Sequence, residues 1–333
     1  DSIGAGPTAK SSAIIRQHYS NDLTARMARY SLHIFQNFRE MIGDECGFTK
    51  TGFVVMVPEK DREGLQANLA LQRRVGIQTE MLSAESIREL VPGLVTNDLV
   101  AAAYEPESGY ADPYLTVTAL ARAVRQEGGA LFPDTRVTAI NFENGKVKGV
   151  ETTGQSFTAP RVINCGGAWG ANVAALAGVR VPINSCRVQV ALFRRPAGHE
   201  VPHPVIGDFI NATYFRPETG NQTLVGLIDP AEADAIVDPD RYFEGVDDDF
   251  VLIAGEKLVK RYPVMEESLF TVGYASLYAL TPDWHPKVDE LPAGSGCFSC
   301  RGFSGHGFKL GPAVGMMVAD LVTGNTKPDF DQV

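Results

Sequence analysis

Near the C-terminus stands Gly302-Phe303-Ser304-Gly305-His306-Gly307-Phe308-Lys309-Leu310-Gly311-Pro312, a run in which four glycines are interleaved with a His and a Lys. It follows the apolar stretch Cys297-Phe298-Ser299-Cys300 and precedes Ala313 to Leu321, whose apolar spacing predicts a helix. A strand, a glycine-rich turn and a helix N-terminus aim free backbone N–H groups and the positive end of a dipole at an anion. Glycine also removes the Cβ that would hold a flat or phosphorylated ligand away from the backbone. The plainer alternative is a tight strand-to-helix connection.

Two further glycine-bearing segments invite the same question. Arg161 to Cys165 reads as a strand running into Gly166-Gly167-Ala168-Trp169 and a helix through Leu176, a second strand–glycine–helix element suited to close ligand approach. Gly4-Ala5-Gly6 is a poor dinucleotide fingerprint, because that motif follows a strand and opens a helix, and no strand precedes it. Cys297-x-x-Cys300 has redox or zinc spacing, yet no second pair completes a four-ligand site, and an apolar strand suits buried cysteines.

The elements that must position these residues can be read in order. Asp1 to Ser12 is a Gly/Pro/Ser/Thr loop. Leu23, Met27, Tyr30, Ile34, Phe38 and Met41 recur at helical spacing behind Asn21 or Asp22 as cap. Phe53 to Val57 is a buried strand, Glu59 to Arg74 an amphipathic helix, and Ser83 or Ser86 caps a helix that ends before Pro92-Gly93. Leu99 to Tyr104 reads as a strand, and a helix bearing Leu115, Leu120, Ala123 and Val124 follows Asp112-Pro113 and ends at Gly128-Gly129. Ala130-Leu131-Phe132 comes next, then Arg136 to Phe142 and Lys146 to Thr152 as a hairpin about Asn144-Gly145. From Val181 to Leu280 the chain is β-rich: Val188 to Phe193, Ala212 to Arg216, Thr223 to Ile228 and Leu269 to Tyr278, interrupted by a helix from Phe250 to Tyr262. Asp247-Asp248-Asp249 is a solvated helix start. The expected fold is mixed α/β, interleaved, with its two ends in one layer around a β-rich middle.

The 333 residues carry a net charge of −10, 44% hydrophobic and 21% charged residues, with a mean hydropathy of −0.07. That acidity argues against non-specific binding to nucleic acid or an anionic membrane, and leaves an anionic small substrate to local Arg or Lys. No apolar run reaches the length a membrane-spanning helix needs, and no signal peptide is visible. Five cysteines at scattered spacing suggest reduced thiols, hence a cytoplasmic setting.

Together these pieces resemble the D-amino-acid-oxidase-like flavoproteins, in the branch of monomeric sarcosine oxidase, glycine oxidase and dimethylglycine dehydrogenase. The resemblance is carried by Ser11-Ser12-Ala13-Ile14-Ile15-Arg16, Gly109-Tyr110-Ala111-Asp112-Pro113, Val162 to Trp169, Tyr214-Phe215-Arg216-Pro217-Glu218, Tyr278 to Asp283 and Gly302 to Lys309, in the family's order. It implies a Rossmann-like FAD/NAD(P)-binding layer (1–45, 98–182 and 286–333) interleaved with a β-rich substrate domain (46–97 and 183–285). The family's opening βαβ unit with GxGxxG is absent, so the expectation is that this chain holds FAD weakly or not at all and is inactive as it stands.

The resemblance further implies that Ser11, Ser12, Val137, Gly166, Gly167, Trp169, Gly302, Ser304, Gly305, His306, Gly307, Phe308 and Lys309 bind the cofactor. Arg16 and Lys309 would clamp a substrate carboxylate, one by a bidentate fork and one as a point charge. Tyr278 would face the substrate. Tyr214 reads equally as a pocket residue or a buried strand tyrosine, and His306 equally as backbone-held or acid–base. Ser276 falls where the branch has the cysteine bonded to FAD, and serine cannot form that thioether, so FAD would be non-covalent. The lysine that oxidase members use with oxygen has no counterpart in Gly226 to Ala231, which leaves oxygen or an electron-transfer protein as acceptor. The implied reaction is oxidation of the C–N bond of a small secondary or N-methyl amino acid (sarcosine-, dimethylglycine- or glycine-like). Oxidation of a 2-hydroxy acid or glycerol phosphate on the same scaffold, and a non-catalytic or electron-relay subunit, are the alternatives.

Overall fold

A computed structural model describes residues 2–200, 202–228, 234–325 and 330. Residues 229–231 of the segment without a lysine, residue 1 of the 1–45 stretch, and 326–329 and 331–333 of the 286–333 stretch lie outside the described residues.

The chain runs β1 (Ile14–Ile15), α1 (Asp22–Gln36), α2 (Phe38–Ile42), β2 (Phe53–Val57), α3 (Arg62–Arg74), β3 (Glu80–Leu82), α4 (Ala84–Leu90), β4 (Ala101–Glu105), β5 (Gly109–Tyr110) and α5 (Pro113–Gln126). It continues through β6 (Val137–Glu143), β7 (Lys146–Thr152), β8 (Ser156–Thr158), β9 (Val162–Asn164), α6 (Gly170–Leu176), β10 (Asn184–Arg194), β11 (Val205–Asp208), β12 (Thr213–Glu218) and β13 (Gln222–Leu227). It closes with α7 (Asp248–Arg261), β14 (Leu269–Leu280), β15 (Lys287–Glu290), β16 (Cys297–Arg301) and α8 (Gly307–Thr323).

An eight-stranded sheet of order β14-β10-β13-β12-β11-β2-β4-β3 dominates, antiparallel except where β11 runs parallel to β2. Its interior strand β2 reads Phe-Val-Val-Met-Val because both faces are covered. Val54 and Met56 point to a core with Ile206, Phe215, Val225 and the α7 residues Phe250, Ala254 and Leu258. Phe53, Val55 and Val57 point the other way, onto Leu65 and Leu69 of α3. Each such large side chain contributes about 1.5–3 kcal/mol on burial. Strand β4 belongs to this sheet, although its residues fall within 98–182.

A three-stranded sheet, β15-β16-β9, carries the two glycine turns: β16 is parallel to β9 and leads into α8, while β9 leads toward α6. A separate meander, β6-β7-β8, turns at Asn144 (φ 51°) and Gly145 (φ 75°), both left-handed as a two-residue hairpin requires. A two-stranded ribbon of β1 and β5 holds the N-terminal segment.

Local differences from the sequence expectation have physical causes. The helix beginning behind Asn21, whose side chain accepts from Thr24 N at 2.8 Å, breaks at Asn37 (φ −112°, ψ 25°), leaving Leu23 and Met41 exposed at its ends. Helix α3 is preceded by a short turn at Glu59–Asp61. Ala130–Phe132 forms no strand. The final helix starts at Gly307, not at Ala313, with Pro312 inside it. Pro312 lacks only the amide that would reach Phe308 O, an early carbonyl next to the turn, so the helix tolerates it.

Candidate active site

The N-terminal segment, the β16–α8 turn and the broad sheet meet at one place. Ser11 to Arg16 is anchored by pairing of Ile14 with Tyr110 and Ile15 with Gly109. The buried Arg216 clamps it from the sheet: Nε donates to Ser12 O at 2.6 Å, the guanidinium pairs with Glu218 at 2.8 Å and lies 4.4 Å from the Tyr110 ring centre. Behind Arg16, the Gln17 amide donates to Glu105 Oε2 at 2.8 Å, and Ser108 Oγ donates to the same oxygen at 2.8 Å.

The β16–α8 turn is equally constrained. Ser304 N donates to Ala279 O at 2.9 Å, docking the turn on the end of β14. Gly302 (φ 69°) and Gly305 (φ 81°) are left-handed, and a Cβ on Gly305 would lie 2.8 Å from the Tyr278 ring. Glycine is therefore required at Gly305 both for the turn and for the ring that packs on it. The first backbone bond of α8 runs from Leu310 N to His306 O at 3.2 Å, so the amides of Gly307, Phe308 and Lys309 precede the helical ladder.

Two connected cavities meet at this turn. The larger, about 750 Å³, is lined by Gly307, Gly311 and Gly315 of α8 and by Gly166, Gly167 and Trp169. The α8 glycines recur every four residues and share one helix face. A Cβ at Gly311, Gly315 or Gly167 would meet nothing within 4 Å. That stripe is a cradle which side chains would fill and a flat ligand can occupy, and it fits the FAD that the sequence resemblance implies. Trp169 is held by its Nε1, which donates to Asp240 Oδ1 at 2.8 Å. Ser276 lines the same space.

The smaller cavity, about 570 Å³, contains Arg16, Tyr214, Tyr278, His306 and Lys309. Arg16 sits 4.8 Å from the Tyr19 ring centre and 6.0 Å from that of Phe53, and donates to His18 O. Lys309 is nine-tenths buried, with Nζ donating to Gly305 O at 3.2 Å. Burial, then the like charge of Arg16, hold its ammonium well below the usual lysine range. The expected pair of cations is thus unequal: burial and the neighbouring Arg16 disfavour the Lys309 ammonium, and an anion bound beside it would favour that ammonium again. Burial, Lys309 and Arg16 lower His306 to about 2, so its imidazole is neutral, sharing a 3.1 Å hydrogen bond with the Tyr19 hydroxyl. Such a group binds and orients; it is no acid at neutral pH. Tyr214 lies across Gly226, where any Cβ would collide with its ring, and it lines both cavities.

Of the expected site residues, Ser11, Ser12, Gly166, Gly167, Trp169, Ser304, Gly305, Gly307, Phe308 and Lys309 line the larger cavity. Arg16 and His306 line the smaller one. Gly302 shapes the turn without lining either, because Thr281 packs against its Cα. Val137 opens β6 in the separate meander and lines neither cavity.

Sequence reading missed Phe53, Phe209 and Trp284, which wall the smaller cavity, and Lys10, which lines the larger one and pairs with Glu244. It also missed a thiol pair. Cys297 and Cys300 lie three residues apart on β16 and therefore on opposite faces. Cys297 packs with Ile140 and Val147. Cys300 instead hydrogen-bonds to Cys165, one step beyond the Ser299–Asn164 register, and both line the larger cavity. That bond draws the exposed Cys165 thiol down to about 7 and pushes the buried Cys300 up. Among the described residues no helix is long and apolar enough to cross a membrane.

Comparison with known proteins places this geometry. Residues 1–321 match the family model described as DAO, FAD dependent oxidoreductase. Mitochondrial sarcosine dehydrogenase of Homo sapiens is 26% identical over 347 residues, covering 99% of this chain and only 37% of that protein. Glycine oxidase of Geobacillus kaustophilus is 25% identical over 292 residues, covering 86% of this chain and 73% of the relative. Among solved structures, L-proline dehydrogenase from P. horikoshii superposes with a TM-score of 0.89 at 26% identity, covering 97% of this chain and 85% of the other.

Proposed function

Since the chain belongs to the DAO family of FAD dependent oxidoreductases, we propose that it oxidises the C–N bond of a secondary or N-methyl amino acid, with non-covalent FAD as cofactor. The bound flavin would supply the hydride acceptor, the chemistry no side chain can provide. The observation that carries the reading is that Lys309 and Tyr278 line both cavities while Arg16 lines the smaller one beside them. A ligand in the glycine-lined space and a carboxylate at Arg16 are thereby neighbours.

This chain's residues then divide the work. Arg16 takes the carboxylate by its bidentate fork, with the rings of Tyr19 and Phe53 fixing its plane. Lys309 Nζ, whose ammonium form the anion favours, donates to the same group. Tyr278, seated on Gly305, fixes the substrate's orientation, and the free amides of Gly307, Phe308 and Lys309 stabilise negative charge at the end of α8. The apolar walls exclude water from the reacting carbon. Ser276 offers no thiolate for a thioether to the cofactor. The electron acceptor is oxygen or an electron-transfer protein. Five free cysteines fit a reducing compartment such as the cytoplasm.

A panel of sarcosine, other N-methyl amino acids, glycine, L-proline and 2-hydroxy acids, read by reduction of an artificial dye with FAD supplied, tests the proposal, and turnover would also overturn the expectation of weak FAD retention and inactivity. Turnover of secondary amines with loss of about a hundredfold or more in kcat/KM for Arg16→Met is expected. Turnover confined to 2-hydroxy acids would replace it.

A further inference from the structure

Neither a small carboxylate nor a secondary amine explains most of the smaller cavity. Its volume of about 570 Å³ falls in the range that accepts ligands far larger than sarcosine. Among the described residues, no charged side chain lines it beyond Arg16 and Lys309, with the neutral His306 beside them. The remaining wall includes Phe53, Phe209, Leu227, Ile228, Leu280 and Trp284.

Two of these aromatics are conspicuous. Phe209 is 47% and Trp284 45% exposed, although both line the cavity. Rings of this size bury well when something covers them. Gly207, on the same wall, leaves room for the rings beside it: a Cβ there would lie 3.1 Å from Phe53 and 3.6 Å from Phe209. Trp284 adopts φ 59°, a conformation that bulky residues rarely hold. Its turn is over-determined: Trp284 N donates to Thr281 O at 3.1 Å, Thr281 Oγ1 to His285 O at 2.9 Å, and Lys287 pairs with Asp283 at 2.6 Å. A strained aromatic held in place by surrounding bonds, half-exposed on a cavity wall, marks a functional position.

We propose that Phe209 and Trp284 form a side-chain subsite, so that the preferred substrate is an amino or N-alkyl amino acid with a bulky apolar or aromatic side chain, not sarcosine or glycine. The inference rests on the proposed function for the amine alone; the subsite binds any monocarboxylate with an apolar tail.

The test therefore separates binding from turnover. Calorimetric titration of the full chain with 3-phenylpropanoate and with acetate reads the subsite without chemistry. The expected result is at least about tenfold tighter binding of 3-phenylpropanoate. Trp284→Gly keeps the left-handed backbone at no steric cost and so preserves the fold, while Phe209→Ala removes the other ring. Each should cut the preference about fivefold and leave acetate binding unchanged. Equal affinity for the two carboxylates, or a preference that survives both substitutions, overturns the proposal. Dye-coupled turnover of N-methyl-L-leucine and sarcosine, with FAD supplied, then gives the order of preference; the leucine derivative is expected first. Selective carboxylate binding with no turnover of any amine supports the subsite while contradicting the proposed reaction.

Discussion

Replacing Lys309 by Met should stabilise the protein at neutral pH, and the advantage should shrink as the pH rises. Lys309 is nine-tenths buried, its Nζ donates to a single carbonyl at 3.2 Å, and Arg16 shares its cavity. Burial first, and Arg16 second, lower its pKa in the folded protein, whereas the unfolded chain titrates near the ordinary 10.5. Between those two pKa values the unfolded state binds more protons than the folded state. The wild type therefore gains stability with rising pH, by up to about 1.4 kcal/mol per pH unit, until about the ordinary lysine value. Met fills a similar volume in the helix and carries no proton, so its stability lacks this slope. Urea midpoints for both proteins, at steps from about pH 7 to about pH 10, give the difference directly. A saturating carboxylate ligand should reverse the order, because an anion beside Nζ restores the ammonium. A Met–wild-type difference that stays constant across the range would refute the reasoning, since Lys309 would then ionise normally in the folded state.

Other expectations follow from the same physical terms. Burial lowers His203 to about 4 and His306 to about 2 from an ordinary 6.5; their contribution is complete above 6.5 and is lost as the pH falls below it, costing about 2 kcal/mol each by about pH 5. His203→Gln should remove half of that acid sensitivity in denaturation curves. Cys165, drawn to about 7 by its bond from Cys300, should react with iodoacetamide with a midpoint near neutrality, followed by mass spectrometry, and Cys300→Ala should move the midpoint upward. Asp208→Ala should cost about 3 kcal/mol, because fully buried Arg261 would keep only Asp98 as a carboxylate partner; an unchanged urea midpoint would contradict that.

What the sequence disclosed follows the range of its signals. The β2 run Phe-Val-Val-Met-Val, the Asn144-Gly145 hairpin and the cap at Asn21 depend on neighbours a few residues away, and the structure contains all three. The start of α8 was hidden because Gly311-Pro312 reads locally as a breaker, and only contact with the turn and α1 extends the helix back to Gly307. Helix α5 misleads in the opposite sense. Leu115, Leu120 and Val124 form the apolar stripe that announces it, yet all three are exposed while Thr116 and Ala119 are buried.

At the site, the glycine turn is a local pattern, but Arg16 and Lys309 lie at opposite ends of the chain, and resemblance to a family, not spacing, paired them. Phe209 and Trp284 had neither signal: one follows the four-residue strand β11, the other closes a turn, and only the folded sheet brings both to one wall. The lowered pKa of Lys309 was also illegible, since it arises chiefly from burial that no sequence window reports.

Anaerobic mixing of the FAD-loaded protein with an N-methyl amino acid, followed by the absorbance of oxidised flavin, tests the central claim most directly. The wild type should bleach completely, and Arg16→Met should reach the same end point only at about a hundredfold higher substrate concentration. Flavin that stays oxidised with every amine offered, or bleaching whose concentration dependence ignores Arg16, would contradict it.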